Sequence, residues 1–141
     1  MESREQDNLI MARFFPEDDV LGGLKELALK YQIKAGVILS GIGQVKDVEL
    51  GFFKAKGDYA PQTFKGNYEL LSLSGNILEQ LGKYEFHLHS VLGDAEKKVI
   101  GGHLLKAQVS VTLEVALLKT NLTVQRVVEE STGLAGMFFE K

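Results

Sequence analysis

Apolar and polar residues alternate along most of this chain, which is the pattern of β-strands that bury one face. The clearest case runs from Leu105 to Val115, where every odd position is apolar and every even position is polar. We therefore expect the odd side chains of this strand to face a core and the even ones to face solvent. Further strands are predicted at residues 9–15, 35–40, 45–53, 68–76 and 133–139, the last as a closing strand.

One early stretch has helical periodicity instead. Its apolar residues fall on one stripe, formed by Val20, Leu21, Leu24, Leu27, Ala28 and Tyr31. Pro16 and the acids after it favour a helix start, because carboxylates are stabilised at the positive end of the helix dipole. Gly22 and Gly23 weaken the helix locally, and they would let it lie close to a sheet. The sequence thus predicts one α+β domain over residues 1–141, with a helix at about residues 17–31 covering a mostly antiparallel sheet.

The segment Gly41-Ile42-Gly43 interrupts the alternation between two predicted strands. A phosphate-binding loop would need a following Lys-Ser or Lys-Thr and a helix, and the sequence offers neither. We therefore expect a bulge or a tight turn at this position.

All three histidines of the chain lie in two neighbouring stretches, His87-Leu88-His89 and Gly102-His103. In a strand, His87 and His89 point to the same face. The polar segment between the stretches is typical of a hairpin connection. A hairpin symmetric about Ala95 would place His87 opposite His103 and His89 opposite Gly101, so that all three imidazoles share one face.

Three neutral imidazoles that converge are suitable ligands for zinc or a similar divalent metal, and they leave one coordination position for water or a ligand. The sequence therefore predicts a divalent metal site, with zinc favoured, at His87, His89 and His103. A register slip of one residue would remove it, because His103 would move to the other face. The alternative hypothesis is that these histidines only make hydrogen bonds within a polar pocket.

The composition excludes several classes of protein. The chain has 141 residues, no cysteine and a net charge of −3, so disulfides and thiolate zinc sites are excluded. No stretch reaches the roughly 18 apolar residues of a membrane span, and no signal-peptide core is visible; we expect a cytoplasmic protein without a membrane partner. Lysine and arginine are scattered, with no basic stripe, which argues against independent DNA binding.

Several short motifs, taken together and in order, resemble the PPC domain, a family conserved in plants and prokaryotes. They span nearly the whole chain and comprise Gly41–Gly43, Val48–Phe53, Gly66–Leu71, Ser72–Asn76, His87–His89 and Gly101–Leu104. The segment Gly66–Leu71 is similar to the plant motif Gly-Arg-Phe-Glu-Ile-Leu, with Asn67 and Tyr68 in place of Arg and Phe.

The resemblance implies an α+β fold, a homotrimer, and metal at the histidine cluster, as in some prokaryotic members. In plants the domain follows AT-hooks, which bind A/T-rich DNA, and the PPC part mediates protein assembly. No Arg-Gly-Arg-Pro core occurs here, so a DNA-binding label would come from the plant relatives. The apolar even face of the histidine strand, formed by Tyr84, Phe86 and Leu88, would need cover from the core or from another subunit, which offers modest support for a trimer.

Three functions compete at this point. The favoured one is a trimeric assembly and ligand-binding module with a metal site and an unidentified small ligand or protein partner. The second is a hydrolase-like metal enzyme, since bound zinc lowers the pKa of water to about 7. Its general base would be Glu69, although a glutamate in a strand is more often a structural hydrogen-bond acceptor. The third, DNA binding, would require a surface assembled by oligomerisation.

Overall fold

The computed structural model describes residues 1–139, which form eight strands and one helix. In chain order these are β1 (Glu2–Gln6), β2 (Leu9–Phe14), α1 (Val20–Lys30), β3 (Ala35–Ala55), β4 (Asp58–Gln80), β5 (Lys83–Gly93), β6 (Val99–Thr120), β7 (Val124–Val128) and β8 (Ala135–Phe139). The predicted α+β fold, a mostly antiparallel sheet with one helix, is confirmed.

Six strands form one antiparallel sheet in the order β1-β2-β6-β3-β4-β5. The first part of β6 also pairs with β5, so β3, β4, β5 and β6 close into a ring. The strand predicted at residues 133–139 exists as β8, but it pairs with β7 in a separate two-stranded sheet. Strand β1 was not predicted, because all five of its residues are polar and only Ser3 is buried, so no alternation of apolar and polar residues marks it.

Helix α1 begins at Val20, three residues later than predicted. Glu17 has a φ of 74°, which is incompatible with a right-handed helix, and the side chain of Asp19 caps the helix by accepting the Gly22 N–H. A Cβ on Gly23 would lie 2.1 Å from the Phe14 ring, so this glycine allows the predicted close packing of α1 on β2. No described helix has the length and apolar character needed to cross a membrane.

Strand β3 continues through Gly41-Ile42-Gly43, so the expected interruption between two strands is wrong. A register shift against β6 follows Gly43, which confirms the bulge and excludes the tight turn. Gly43 has a φ of 154°, and a Cβ there would lie 2.0 Å from the Thr112 carbonyl oxygen. The glycine therefore permits a close approach of the β3 and β6 backbones.

Bulges also change the buried face of β6. Val111 lies in an irregular stretch opposite Gly43–Val45, and it is 57% exposed, so the prediction that it faces inward is wrong. A second register shift separates Lys106 from Leu104. As a result Leu104 enters the core, whereas Leu105, also predicted to face inward, lies beside His103 in an outer cavity.

The apolar even face of β5 is covered by the chain itself. Leu88 is fully buried, and Tyr84 and Phe86 pack against the same core. The Tyr84 hydroxyl donates a hydrogen bond to the Ala28 carbonyl oxygen of α1 at 3.1 Å. This face is therefore covered by the chain's own core and helix, so it gives no support for a trimer.

Candidate metal centre

The three histidines come together on the outer side of β5 and β6. His89 lies directly opposite His103, and Val91 lies opposite Gly101. The predicted pairing of His87 with His103, and of His89 with Gly101, is therefore wrong by two residues. Side chains alternate with a period of two, so this shift keeps all three imidazoles on one face, as predicted.

The ligating nitrogens are close enough to share one metal ion. One ring nitrogen from each histidine lies within 4.8 Å of the others. The Nε2 atoms of His87 and His89 are 3.2 Å apart. Two nitrogens that bind one tetrahedral zinc at about 2.0–2.1 Å are separated by about 3.3–3.4 Å. The donor set therefore fits a divalent metal that accepts imidazole ligands.

The 3.2 Å contact also allows a hydrogen bond, in which one Nε2–H donates and the other Nε2 accepts. Burial lowers the pKa of His87, and the charges of Arg126 and His89 lower it further. Burial likewise lowers the pKa of His103, followed by the charges of His87 and His89. A lowered pKa favours the neutral ring, which is the form that binds a metal.

The histidines form part of the wall of an open cavity of about 970 Å³. The rest of the wall is mainly aromatic and aliphatic, with contributions from Phe52, Phe53, Tyr59, Phe86, Val91, Leu105 and Leu134. The Tyr59 ring meets His103 edge to face, with ring centroids 6.2 Å apart. Gly51 makes this possible, because a Cβ there would lie 2.2 Å from the tyrosine ring.

Arg126 on β7 also lines the cavity. Its backbone N–H donates to Gln80 Oε1 at 2.7 Å, and Gln80 Nε2 donates back to its carbonyl oxygen at 3.3 Å. The guanidinium donates to Asn76 Oδ1. The sequence reasoning missed Arg126, because no local motif marks it and only the docking of β7 on β4 brings it to the histidines.

Glu69, the predicted general base of the enzyme hypothesis, is placed elsewhere. It is not among the described residues that line the histidine cavity. Its Oε1 accepts a hydrogen bond from Gln44 Nε2 at 2.8 Å, which is the structural role expected of a strand glutamate. The carboxylate that does line the cavity belongs to Glu85.

Comparison with known proteins gives a consistent family match. The profile of the Plants and Prokaryotes Conserved (PCC) domain matches residues 1–121. This segment contains the three histidines and ends before β7, so Arg126 lies outside it.

Solved structures share the fold over nearly the full length. A candidate DNA-binding protein of Bacteroides thetaiotaomicron is 25% identical, with a TM-score of 0.92 over 99% of this chain and 98% of that chain. A PPC protein of Pyrococcus horikoshii is 28% identical, with a TM-score of 0.83 over 99% and 94%. A metal-containing protein of Archaeoglobus fulgidus is also 28% identical, with a TM-score of 0.83 over 97% and 96%.

Curated relatives match over a small part of their own length. Two Synechococcus proteins, both named bifunctional protein GlmU, are similar to this chain. One is 32% identical over 92 residues, 65% of this chain, and the other is 27% identical over 131 residues, 92% of this chain. The matched regions span only 13% and 20% of those proteins.

Proposed function

The chain belongs to the Plants and Prokaryotes Conserved (PCC) domain family, the PPC family that its motifs resemble, and we propose that it is a homotrimeric ligand-binding module with a divalent metal site. His87, His89 and His103 would hold the metal. The observation that carries the proposal is the convergence of three ring nitrogens within 4.8 Å at the wall of a large cavity. The similarity to a metal-containing protein of Archaeoglobus fulgidus supports it.

Zinc is the metal that this site favours. The ligands are three imidazoles, and the chain has no cysteine to supply a thiolate. Zinc sites with three protein ligands keep a fourth position for water or a ligand. In this module the fourth position would serve the ligand of the cavity, and the lowered pKa values of His87 and His103 keep those rings neutral for coordination.

Elemental analysis tests the metal site. Protein purified without chelator, soaked in zinc and desalted should carry one zinc ion per chain. X-ray absorption should show nitrogen ligands at about 2.0–2.1 Å. The control is the variant in which all three histidines are replaced by alanine. If wild type carries no metal, or the variant carries as much, the histidines do not form a metal site.

An exposed apolar surface supports self-assembly. Six large apolar side chains on the outer face of β2, β3, β4 and β6 are each more than 40% exposed, namely Met11, Val37, Leu39, Ile42, Leu71 and Val111. These strands are neighbours in the sheet, and a contiguous patch of exposed apolar side chains marks an interaction site. We propose that this surface, here called the outer apolar face, is where the subunits of the trimer meet.

Sedimentation equilibrium at micromolar concentration tests this assembly. Wild-type protein should have the mass of a trimer. Ile42→Glu and Leu71→Glu should shift the mass toward a monomer, because each places a charge in the apolar contact. Leu29→Glu is the matched control, since Leu29 is 58% exposed but lies on α1, away from the outer apolar face. A monomeric wild type would overturn the trimer.

A further inference from the structure

Hydrogen bonds between the Arg126 backbone and the Gln80 side chain hold Arg126 in the histidine cavity. The two hydrogen bonds to the Gln80 side chain hold the β7 main chain in place. The guanidinium donates to Asn76 Oδ1, and Nη1 lies 3.5 Å from the Ala135 carbonyl oxygen. A guanidinium has five N–H donors, so these contacts leave donors free.

The charge of Arg126 lacks a close counterion. Both acceptors of its guanidinium are neutral oxygens, and among residues 1–139 no carboxylate forms an ion pair with it within 4.0 Å. Burial lowers the pKa of Arg126, and the more distant charge of Glu85 raises it. A half-buried cation without a close partner is unfavourable, and an anion brought by a ligand would relieve this.

The surroundings of Arg126 suit an anion with an apolar body. His87 lines the same cavity, and so does Glu85, whose carboxylate forms no ion pair with Arg126 within 4.0 Å. Phe52, Phe53 and Phe86 supply aromatic surface in the same cavity. The volume of about 970 Å³ is at the upper end of the range for small-molecule sites.

We infer that the cavity binds a small organic anion, whose carboxylate or phosphate group is held by Arg126 beside the histidine cluster while its apolar body packs on the aromatic wall. Arginine is suited to this task, since its planar fork of donors matches both carboxylate and phosphate groups. The inference rests on the proposed function, because it names the ligand class of that module. Its anion contact, however, comes from Arg126 and not from the metal.

Isothermal titration calorimetry on the full chain tests the inference. The probes are two anions, benzoate and phenyl phosphate, and the neutral analogue benzamide. At least one anion should bind, and benzamide should bind at least tenfold more weakly. Arg126→Gln should weaken anion binding by about ten- to a hundredfold, as expected for loss of a hydrogen bond to a charged group. Arg126→Lys should keep part of the affinity. Arg13→Gln is the matched control, because it removes the same charge from β2, outside the cavity.

The fold of Arg126→Gln should be intact, because the contacts to Gln80 are made by backbone atoms, and thermal melting checks this. Equal binding of benzoate and benzamide, no binding of either anion, or unchanged affinity in Arg126→Gln would each overturn the inference. Zinc content is measured separately on the same samples. If the protein takes up zinc but its anion binding does not depend on Arg126, only the anion inference is contradicted. If anion binding depends on Arg126 but the protein takes up no zinc, only the metal proposal is contradicted.

Discussion

The replacement Gly75→Ala should damage both the fold and the histidine cluster. Gly75 on β4 lies opposite Leu88 on β5, with a φ of 143°. A Cβ at this position would lie 1.9 Å from the His87 carbonyl oxygen and 2.9 Å from the Leu88 Cα atom. Both are backbone atoms, so rotation of a side chain cannot relieve the collision.

The size of the effect follows from these contacts. A non-glycine residue at such a φ is destabilised by about 1–3 kcal/mol. Carbon and oxygen atoms pack no closer than about 3.3 Å, so the β4 and β5 backbones must separate by more than about 1 Å. Each ladder hydrogen bond lost in this movement removes about 0.5–1.5 kcal/mol. We therefore expect the free energy of unfolding to fall by about 2–4 kcal/mol.

Zinc affinity should fall as well. A shift of about 1 Å in the His87 backbone exceeds the roughly 0.5 Å within which a functional site must be held. We expect a loss of about ten- to a hundredfold in affinity, similar to the effect of removing a supporting contact of a metal ligand. Urea unfolding of metal-free protein measures the stability, and competition with a chromogenic chelator measures the zinc affinity.

Two glycines provide matched controls. Gly43→Ala creates the same kind of collision, with a Cβ 2.0 Å from the Thr112 carbonyl oxygen, but outside the histidine cavity. It should lower the stability to a similar extent and leave zinc affinity unchanged. Gly66 has a φ of 91° with nothing within 4 Å of an added Cβ, so Gly66→Ala isolates the backbone strain and should have a smaller effect.

An equal free energy of unfolding for Gly75→Ala and Gly66→Ala would show that the backbone collision adds nothing to the strain at φ. The link to the metal site is wrong if Gly75→Ala is destabilised and yet binds zinc as wild type does.

Four further predictions concern the metal site and the net charge of the chain. His87→Ala or His103→Ala should abolish tight zinc binding but keep the fold, as measured by elemental analysis and circular dichroism; wild-type zinc content in either variant would contradict this. Because the pKa values of both histidines are lowered, zinc should be lost only as the pH falls below about 6.5. Metal-free protein should become less stable over the same range, since the unfolded chain then binds more protons than the folded one; stability independent of pH there would refute this. With a net charge of −3 and no AT-hook, duplex DNA should bind no tighter than about 10⁻⁴–10⁻⁶ M at physiological salt; nanomolar, sequence-dependent binding in fluorescence anisotropy would contradict it.

From the sequence alone, the three histidines were correctly predicted to share one face, although the predicted strand register was wrong. The prediction tolerated this error because the pairing differs by two residues, which is a full period of a strand. An error of one residue would have separated His103 from the other two. The helix was also predicted from side-chain periodicity. Its apolar residues recur about every 3.6 residues, whereas side chains of a strand alternate with a period of two.

Only the tertiary structure decided what surrounds the histidines. The register shift between Lys106 and Leu104 places Leu104 in the core and leaves His103 and Leu105 at the outer cavity, and this shift depends on how β3 pairs with β6. Arg126 reaches the cavity because the Gln80 side chain binds the β7 backbone, a contact between residues 46 positions apart. Periodicity reports which face of an element is buried, but contacts between distant segments leave no regular pattern in the sequence, so the ligand-binding wall could be recognised only after the chain was folded.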